Sequence, residues 1–347
     1  MGPNEDTKVR PIRAFLRPNS VAEKGFHTRA RMPEKGVIAP GLHPTRAHDL
    51  IFHGGKTIAN LAFANFYVGG AAAWRKSDIQ AIDNGLSAAM SDAHLNNVMA
   101  QYYPAGTAVT SVFKLSQVLA GPPPKTVSQG DVEALVQRLF RSGALSSFDL
   151  ANTVFNFMLP SGTILNTDTA PTGGALSMRV EDEKAPKNNP IPHEEEDSTE
   201  GLGGYHGSVH NGGDTLYYAV GVFSERLPDG TENGSPVFDE PAKNVIATFY
   251  HELNEARTDP DVEDAILAGN DPGAVKFLGW TSAQGEECGD FPVFEAKPLT
   301  RVFKEVPLTA GGGTVPVQFQ YSNAVHGPEG PIPQPHVLKH AMASPQV

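Results

Sequence analysis

Apolar residues along this chain fall into short runs separated by Gly- and Pro-rich breaks. Leu50-Ile51-Phe52-His53-Gly54-Gly55 opens the patterned region, and the mostly apolar run Ile58 to Val68 predicts a strand buried on both faces. Two helices are expected next. Ser77 is the expected N-cap of the first, with Ile79, Ile82, Leu86 and Met90 on one stripe; the second starts near Asp92 and carries Leu95, Val98 and Met99. Strand-like Ala108 to Val118 follows, closed by Gly121-Pro122-Pro123-Pro124. A stronger helix is expected from Gln129 to Ser142, with Ser128 and Asp131 as its capping pair, Val132, Leu135, Val136, Leu139 and Phe140 as its buried stripe, and Gly143 as its stop. Val154 to Leu159 reads as another buried strand, Thr215 to Phe223 as an aromatic-rich one, and Val275 to Thr281 and Val315 to Tyr321 as late strands.

Residues 168–203 interrupt this pattern, because Pro, Gly, Asn and the run Glu194-Glu195-Glu196-Asp197 leave little to bury; a surface loop or lid is expected there. The alternation of strands and helices predicts an α/β or α+β fold, a single globular domain over 48–322 with a mixed sheet flanked by helices, followed by an irregular tail at 323–347. The 35 glycines and 29 prolines favour short strands and many turns over a helical bundle.

Charge is divided unevenly. Residues 1–47 carry nine Lys/Arg against four acids, an excess of five positive charges, which leaves −17 on the remaining 300 residues of a chain whose total is −12. Such an arm is expected to lie extended over the acidic body or over a neighbouring copy, as a route to a homo-oligomer. The acidic balance argues against nucleic acid as a partner. No run approaches the roughly 20 apolar residues of a membrane span. Met1 to Arg13 has charges and no apolar stretch behind them, so no secretory signal is expected. Cys288 is the one cysteine, which excludes a disulfide framework and a Cys-based zinc site. Its neighbours Glu286, Glu287 and Asp290 disfavour the thiolate.

The candidate chemistry lies in one helix. Pro241 opens a segment in which Val245, Ile246, Phe249 and Leu253 form an apolar stripe, while His251, Glu252 and Glu255 gather on an adjoining face. His251 and Glu255, four apart, point the same way and can hold one divalent ion. Glu252 stands where HExxH hydrolases keep the base that activates water. Since the second histidine of that motif is Glu255 here, the site is harder than a two-histidine one: zinc is the first expectation, with calcium or manganese as alternatives. The helix ends at Thr258-Asp259-Pro260, where Asp259 is an expected N-cap for the next helix as well as a candidate ligand. Asp261, ten residues beyond His251, and Glu286 and Asp290 in the turn Gly285-Glu286-Glu287-Cys288-Gly289-Asp290 are the other candidate ligands. His206 and His210, four apart in a Gly-rich segment, can complete the site or decorate a turn, and His53 before Gly54-Gly55 can do likewise.

The order Phe52-His53-Gly54-Gly55, Gly204-Tyr205-His206, Tyr217-Tyr218-Ala219-Val220, the decapeptide His251 to Pro260 and the Gly285-to-Asp290 turn resembles the exordium / phosphate-induced protein family over about residues 50–295. The decapeptide carries most of the likeness, matching a His-Glu-Leu-x-Glu-x-x-Thr-Asp-Pro stretch of microbial members. The resemblance implies an extracellular setting and, in plants, a link to growth and cell expansion. Plant members often lack the helix His and Glu, so any metal chemistry rests on the residues of this chain.

The leading expectation is therefore a metallopeptidase-like, metal-dependent hydrolase in which His251 and Glu255 bind the ion and Glu252 is the base. Asp259, Asp261, Glu286 or Asp290 would complete the shell, and the substrate would be a peptide or a cell-wall polymer. The alternative is a non-enzymatic extracellular binding or assembly protein in which the same carboxylates are structural.

Overall fold

The computed structural model describes residues 14–16, 44–170, 197–268 and 273–337. Most of the basic arm, the loop interior at 171–196, residues 269–272 and the end of the tail from 338 lie outside them. So do His193, which beside Glu194 to Asp197 is an expected cation collector or part of a solvated loop, and Gly269, the expected stop of the helix after Pro260.

A six-stranded mixed sheet forms the middle layer. Its strands are β1 (Ala14–Leu16), β2 (Asn60–Tyr67), β3 (Thr110–Val118), β4 (Thr153–Met158), β5 (Leu202–Asn211) and β6 (Asp214–Gly221), in the spatial order β1-β5-β6-β4-β2-β3. β3, β2, β4 and β6 run parallel, and β5 turns back antiparallel to β6. A strand from the N-terminal arm, β1, closes the β5 edge, with Ala14 opposite Tyr205. The two inner strands of the parallel part, β2 and β4, are buried almost throughout, as their continuous apolar runs require.

Alternation sends Phe66, Phe155, Phe157, Tyr218 and Val220 to one face, beneath helix α3 (Gln129–Arg141), and Phe63, Val154, Met158, Tyr217 and Ala219 to the other, beneath α1 (Lys76–Ser91) and α4 (Pro241–Thr258). The result is a mixed α/β fold with helices on both faces. Helix α2 (Ala93–Met99) follows α1 directly, and α3 starts with the expected Ser128–Asp131 capping box. A hairpin, β7 (Phe303–Pro307) with β8 (Thr314–Gln318), packs on the far side of α4, which is thereby enclosed between it and the sheet. Among the described residues, no helix is long and apolar enough to cross a membrane.

Several expectations are corrected. Helix α1 starts at Lys76 with Arg75 in the N-cap position, so Ser77 is already inside it; the Trp74 indole N–H bonded to Val68 O at 2.7 Å and the Arg75–Asp78 pair set this earlier start. Val275 belongs to a 3-10 turn, Ala274–Phe277, and only Trp280–Thr281 is strand, paired with Ile51–Phe52. The stretch Val315 to Tyr321 is two strands: β8 ends at Gln318, and Gln320–Ser322 pairs with Gly327–Glu329 inside the supposed irregular tail. The Gly-rich segment around His206 is an interior strand, β5, whose start at Leu202 falls within the expected loop. Glycine suits it because the neighbouring strand and α4 both lie close: a Cβ on Gly204 would stand 2.5 Å from Val220 O of β6 and 3.1 Å and 3.3 Å from Thr248 Cγ2 and Glu252 Oε1 of α4.

Asp92 joins α1 to α2 and ties both to the hairpin. Its carboxylate accepts the N–H groups of His94 (2.9 Å), Leu95 (3.2 Å) and Thr309 (2.7 Å) and the Thr309 hydroxyl (2.9 Å). Burial opposes its ionisation, but the bonds from Thr309, Leu95 and His94 outweigh burial and hold the carboxyl below its ordinary 3.8. A carboxyl depressed in the folded state stabilises above its unfolded pKa and loses that contribution as pH falls through the folded value. Asp92→Asn is expected to cost about 1–2 kcal/mol near neutral pH. Urea titrations should find the gap to wild type narrowing once pH drops below about 3.8; a gap independent of pH would mean that the negative charge contributes nothing.

Candidate functional site

Helix α4 has no solvated side from Asn244 onwards. Val245, Ile246, Phe249 and Leu253 face the sheet as expected, and the polar residues are buried too. His251, Glu252 and Glu255 meet His206 from β5 and the turn at 285–290, and all four side chains, with Asp259 and Glu287, are 0% exposed; Asp290 is 1% exposed. Five carboxyl groups and two imidazoles are thus buried on these segments. Two surface clefts, of about 550 and 230 Å³, are not lined by any of them.

His251 Nε2 lies 3.0 Å from Glu255 Oε2, and His206 Nδ1 lies 3.4 Å from Glu252 Oε2 and 3.9 Å from Glu255 Oε2. Around a tetrahedral ion with ligands at roughly 2.0–2.2 Å, neighbouring donors stand about 3.3–3.6 Å apart, so these spacings bracket those of donors sharing an ion. Two groups of three have donor atoms within 4.8 Å of one another: His251, Glu252 and Glu255, and His206, Glu255 and Glu287.

The surroundings orient these donors. Gln318 gives its amide N–H to Gly289 O at 2.5 Å, which turns its Oε1 towards His251 Nδ1, also at 2.5 Å. An amide oxygen accepts, so His251 Nδ1 carries the proton and Nε2 is directed at Glu255. Gly289 N–H donates to Glu255 Oε1 at 3.0 Å, leaving Oε2 on the histidine side. Gly289 must lack a side chain for this seating, since a Cβ there would stand 2.3 Å from His251 Nδ1 and 2.8 Å from Glu255 Oε1.

Burial works against protonation of His251, yet Glu255, Asp290 and the Gln318 bond outweigh it and raise its pKa. Asp259, Glu287 and Asp290 are pushed well above the carboxylate range, by burial first, then by the charges of Asp261 and Glu255 on Asp259 and of Glu255 on Glu287 and Asp290. Among the described residues no lysine or arginine pairs with Asp259, Glu287 or Asp290, and Arg257 on the same helix turns away to Asn96, Ser111 and Thr110 O. Asp259 Oδ2, Asp290 Oδ1 and both oxygens of Glu287 are buried with no hydrogen-bond partner. Buried acids without partners fit a cation bound among them.

The candidates from sequence divide into two sets. His251, Glu252 and Glu255 come together in one metal-sized group, while Asp259 and Asp290 are buried but belong to neither group. Asp259 is the C-cap residue of α4, and its Oδ1 accepts Gly279 N–H at 2.8 Å in place of the expected capping of the next helix, Val262–Ala268. Asp261 is corrected: beyond the turn at Pro260 it is only partly buried and faces Tyr217, Lys56 and His210, outside both metal-sized groups. Glu286 is corrected as well, because its carboxylate accepts the Ser282 hydroxyl at 2.6 Å and meets His48 Nδ1 at 2.7 Å, with the His48 ring stacked on Phe291. Its neighbour Glu287 occupies the place in the cluster. His210 is exposed and pairs with Asp264, and His53 meets the Thr281 hydroxyl. Cys288 is buried, and burial followed by Glu255 raises its thiol pKa.

Sequence reasoning missed Glu287 and Gln318 and underrated His206. The alternation of Tyr205, Gly207 and Val209 against Gly204, His206 and Ser208 carried the strand signal for His206; nothing local distinguished Glu287 from Glu286. Comparison of the chain with protein-family models, curated proteins and solved structures found no match.

Gly289→Ala is expected to destabilise the fold by about 1–3 kcal/mol, because the methyl group must displace His251 or Glu255. Equilibrium unfolding in urea measures it, and an unchanged midpoint would show that the turn is not seated on the helix in this way.

Proposed function

We propose that the chain is a metal-dependent, metallopeptidase-like hydrolase whose ion is held by His251 and Glu255, with Glu252 as the proton acceptor. The observation that carries this reading is the pair His251 Nε2 and Glu255 Oε2, buried 3.0 Å apart and each oriented by a further bond, with Glu252 in the same compact group. The mixed imidazole and carboxylate donors favour zinc, and manganese or calcium fits a shell richer in oxygen.

When bound, a divalent ion acidifies a water molecule and polarises a carbonyl or phosphoryl oxygen. The chain supplies the remainder. Gln318 keeps Nδ1 protonated so that Nε2 is the donor, Gly289 fixes Glu255 by its other oxygen, and Glu252 takes a proton from the attacking water and returns it to the leaving group. The resemblance to exordium-like proteins rests mainly on the decapeptide that holds these residues and supports an extracellular setting, with a peptide or cell-wall polymer as substrate.

The closed surroundings favour a second reading, in which the ion is structural and the protein binds or assembles without turnover. Glu252→Gln separates the two. On the first reading it retains metal and lowers hydrolysis of a peptide pool or cell-wall digest, followed by mass spectrometry, by about 10²–10⁴-fold. On the second it changes thermal stability alone. Elemental analysis beside His251→Ala/Glu255→Ala should find a transition metal lost in the double variant; no metal in either protein would overturn both readings.

A further inference from the structure

We propose that the cluster binds two divalent cations, the second held by His206, Glu255 and Glu287, with Glu255 shared between the two ions. The inference rests on the first site at His251 and Glu255 and adds a second one across the gap between α4 and β5.

Three observations carry it. The two metal-sized groups overlap at a single residue, Glu255, whose Oε2 lies 3.0 Å from His251 Nε2 on its own helix and 3.9 Å from His206 Nδ1 on the strand. A carboxylate addressed by two histidines from different elements is placed as a bridge, and two-metal hydrolytic sites hold their ions about 3.5–4 Å apart. His206 also meets acids on both ring nitrogens, since Nε2 lies 3.6 Å from Glu287 Oε1 while Nδ1 faces Glu252 and Glu255. Nε2 also lies 3.2 Å from Asp259 O, a carbonyl that only accepts, so Nε2 carries the proton and Nδ1, facing Glu252 and Glu255, is the donor.

Glu287 supplies the independent sign of a ligand. Its side chain is fully buried, and neither carboxyl oxygen has a hydrogen-bond partner. A protonated carboxyl would need an acceptor for its O–H and an ionised one needs positive charge; among the described residues no lysine or arginine pairs with Glu287, and the nearest group able to carry positive charge is His206, with Nε2 3.6 Å from Oε1. Charge balance points the same way. With neutral histidines, one divalent ion leaves three of the five buried carboxylates uncompensated, whereas two leave one.

Full-length protein stripped with chelator and titrated with manganese(II) tests the proposal, with bound metal counted after gel filtration and the paramagnetic resonance spectrum recorded. Two ions per chain with an exchange-coupled spectrum are expected in wild type, one ion in His206→Gln and in Glu287→Gln, and none in Glu255→Gln. Should His206→Gln fail to fold by circular dichroism, Glu287→Gln, which keeps the side-chain shape, decides alone. Saturation of wild type at one ion, or two ions in Glu287→Gln, overturns the second site and leaves the first standing. Two ions without spin coupling overturn the shared Glu255, and no bound ion overturns the function proposed above together with this inference.

Discussion

Removing five carboxyl groups and two imidazoles from water is the constraint on which the rest of this molecule depends. An isolated buried carboxylate costs several kcal/mol after relaxation, and the cost grows when like charges are neighbours. The polar face of α4 would be cheapest in solvent. It is instead enclosed by β5, by the turn at 285–290 and by Gln318 of the hairpin, and each contributes an oriented partner: His206, Gly289 N–H and the Gln318 amide oxygen. Such an arrangement includes two groups of donors that could hold a metal ion.

The architecture makes that enclosure feasible. Four parallel strands provide a sheet wide enough to bury the apolar stripe of α4, and the reversal at β5 brings a fifth strand beneath the helix's other flank. Small residues let the layers approach. Gly204 admits the helix over the sheet and Gly289 admits the turn onto the helix; a methyl group at either would strike backbone or a donor atom. Elements on three sides orient side chains that could hold a metal ion.

Much of this was legible in the chain. Continuous apolar runs marked β2 and β4, the Ser128–Asp131 box marked α3, and Pro241 with the stripe ending at Thr258-Asp259-Pro260 marked α4 almost to the residue, because capping and helical periodicity are local physics. The i, i+4 spacing of His251 and Glu255 likewise placed two donors on one face without reference to any other part of the fold. The strand β5 was obscured because its glycines, chosen for close packing, weaken the strand signal they sit in.

What only the tertiary structure decided is which polar residues meet. His206, forty-five residues before His251, faces the helix because antiparallel pairing sets it opposite Ala219 on the α4 side of the sheet. Glu287 enters the cluster while Glu286 turns to His48, a division made by the path of one turn. The sequence by itself determined the helix, its two in-register donors and the parallel core, since each follows from spacing along one element. The enclosed, multiply acidic centre depends on register and packing between distant segments, and no periodicity along a single segment encodes those.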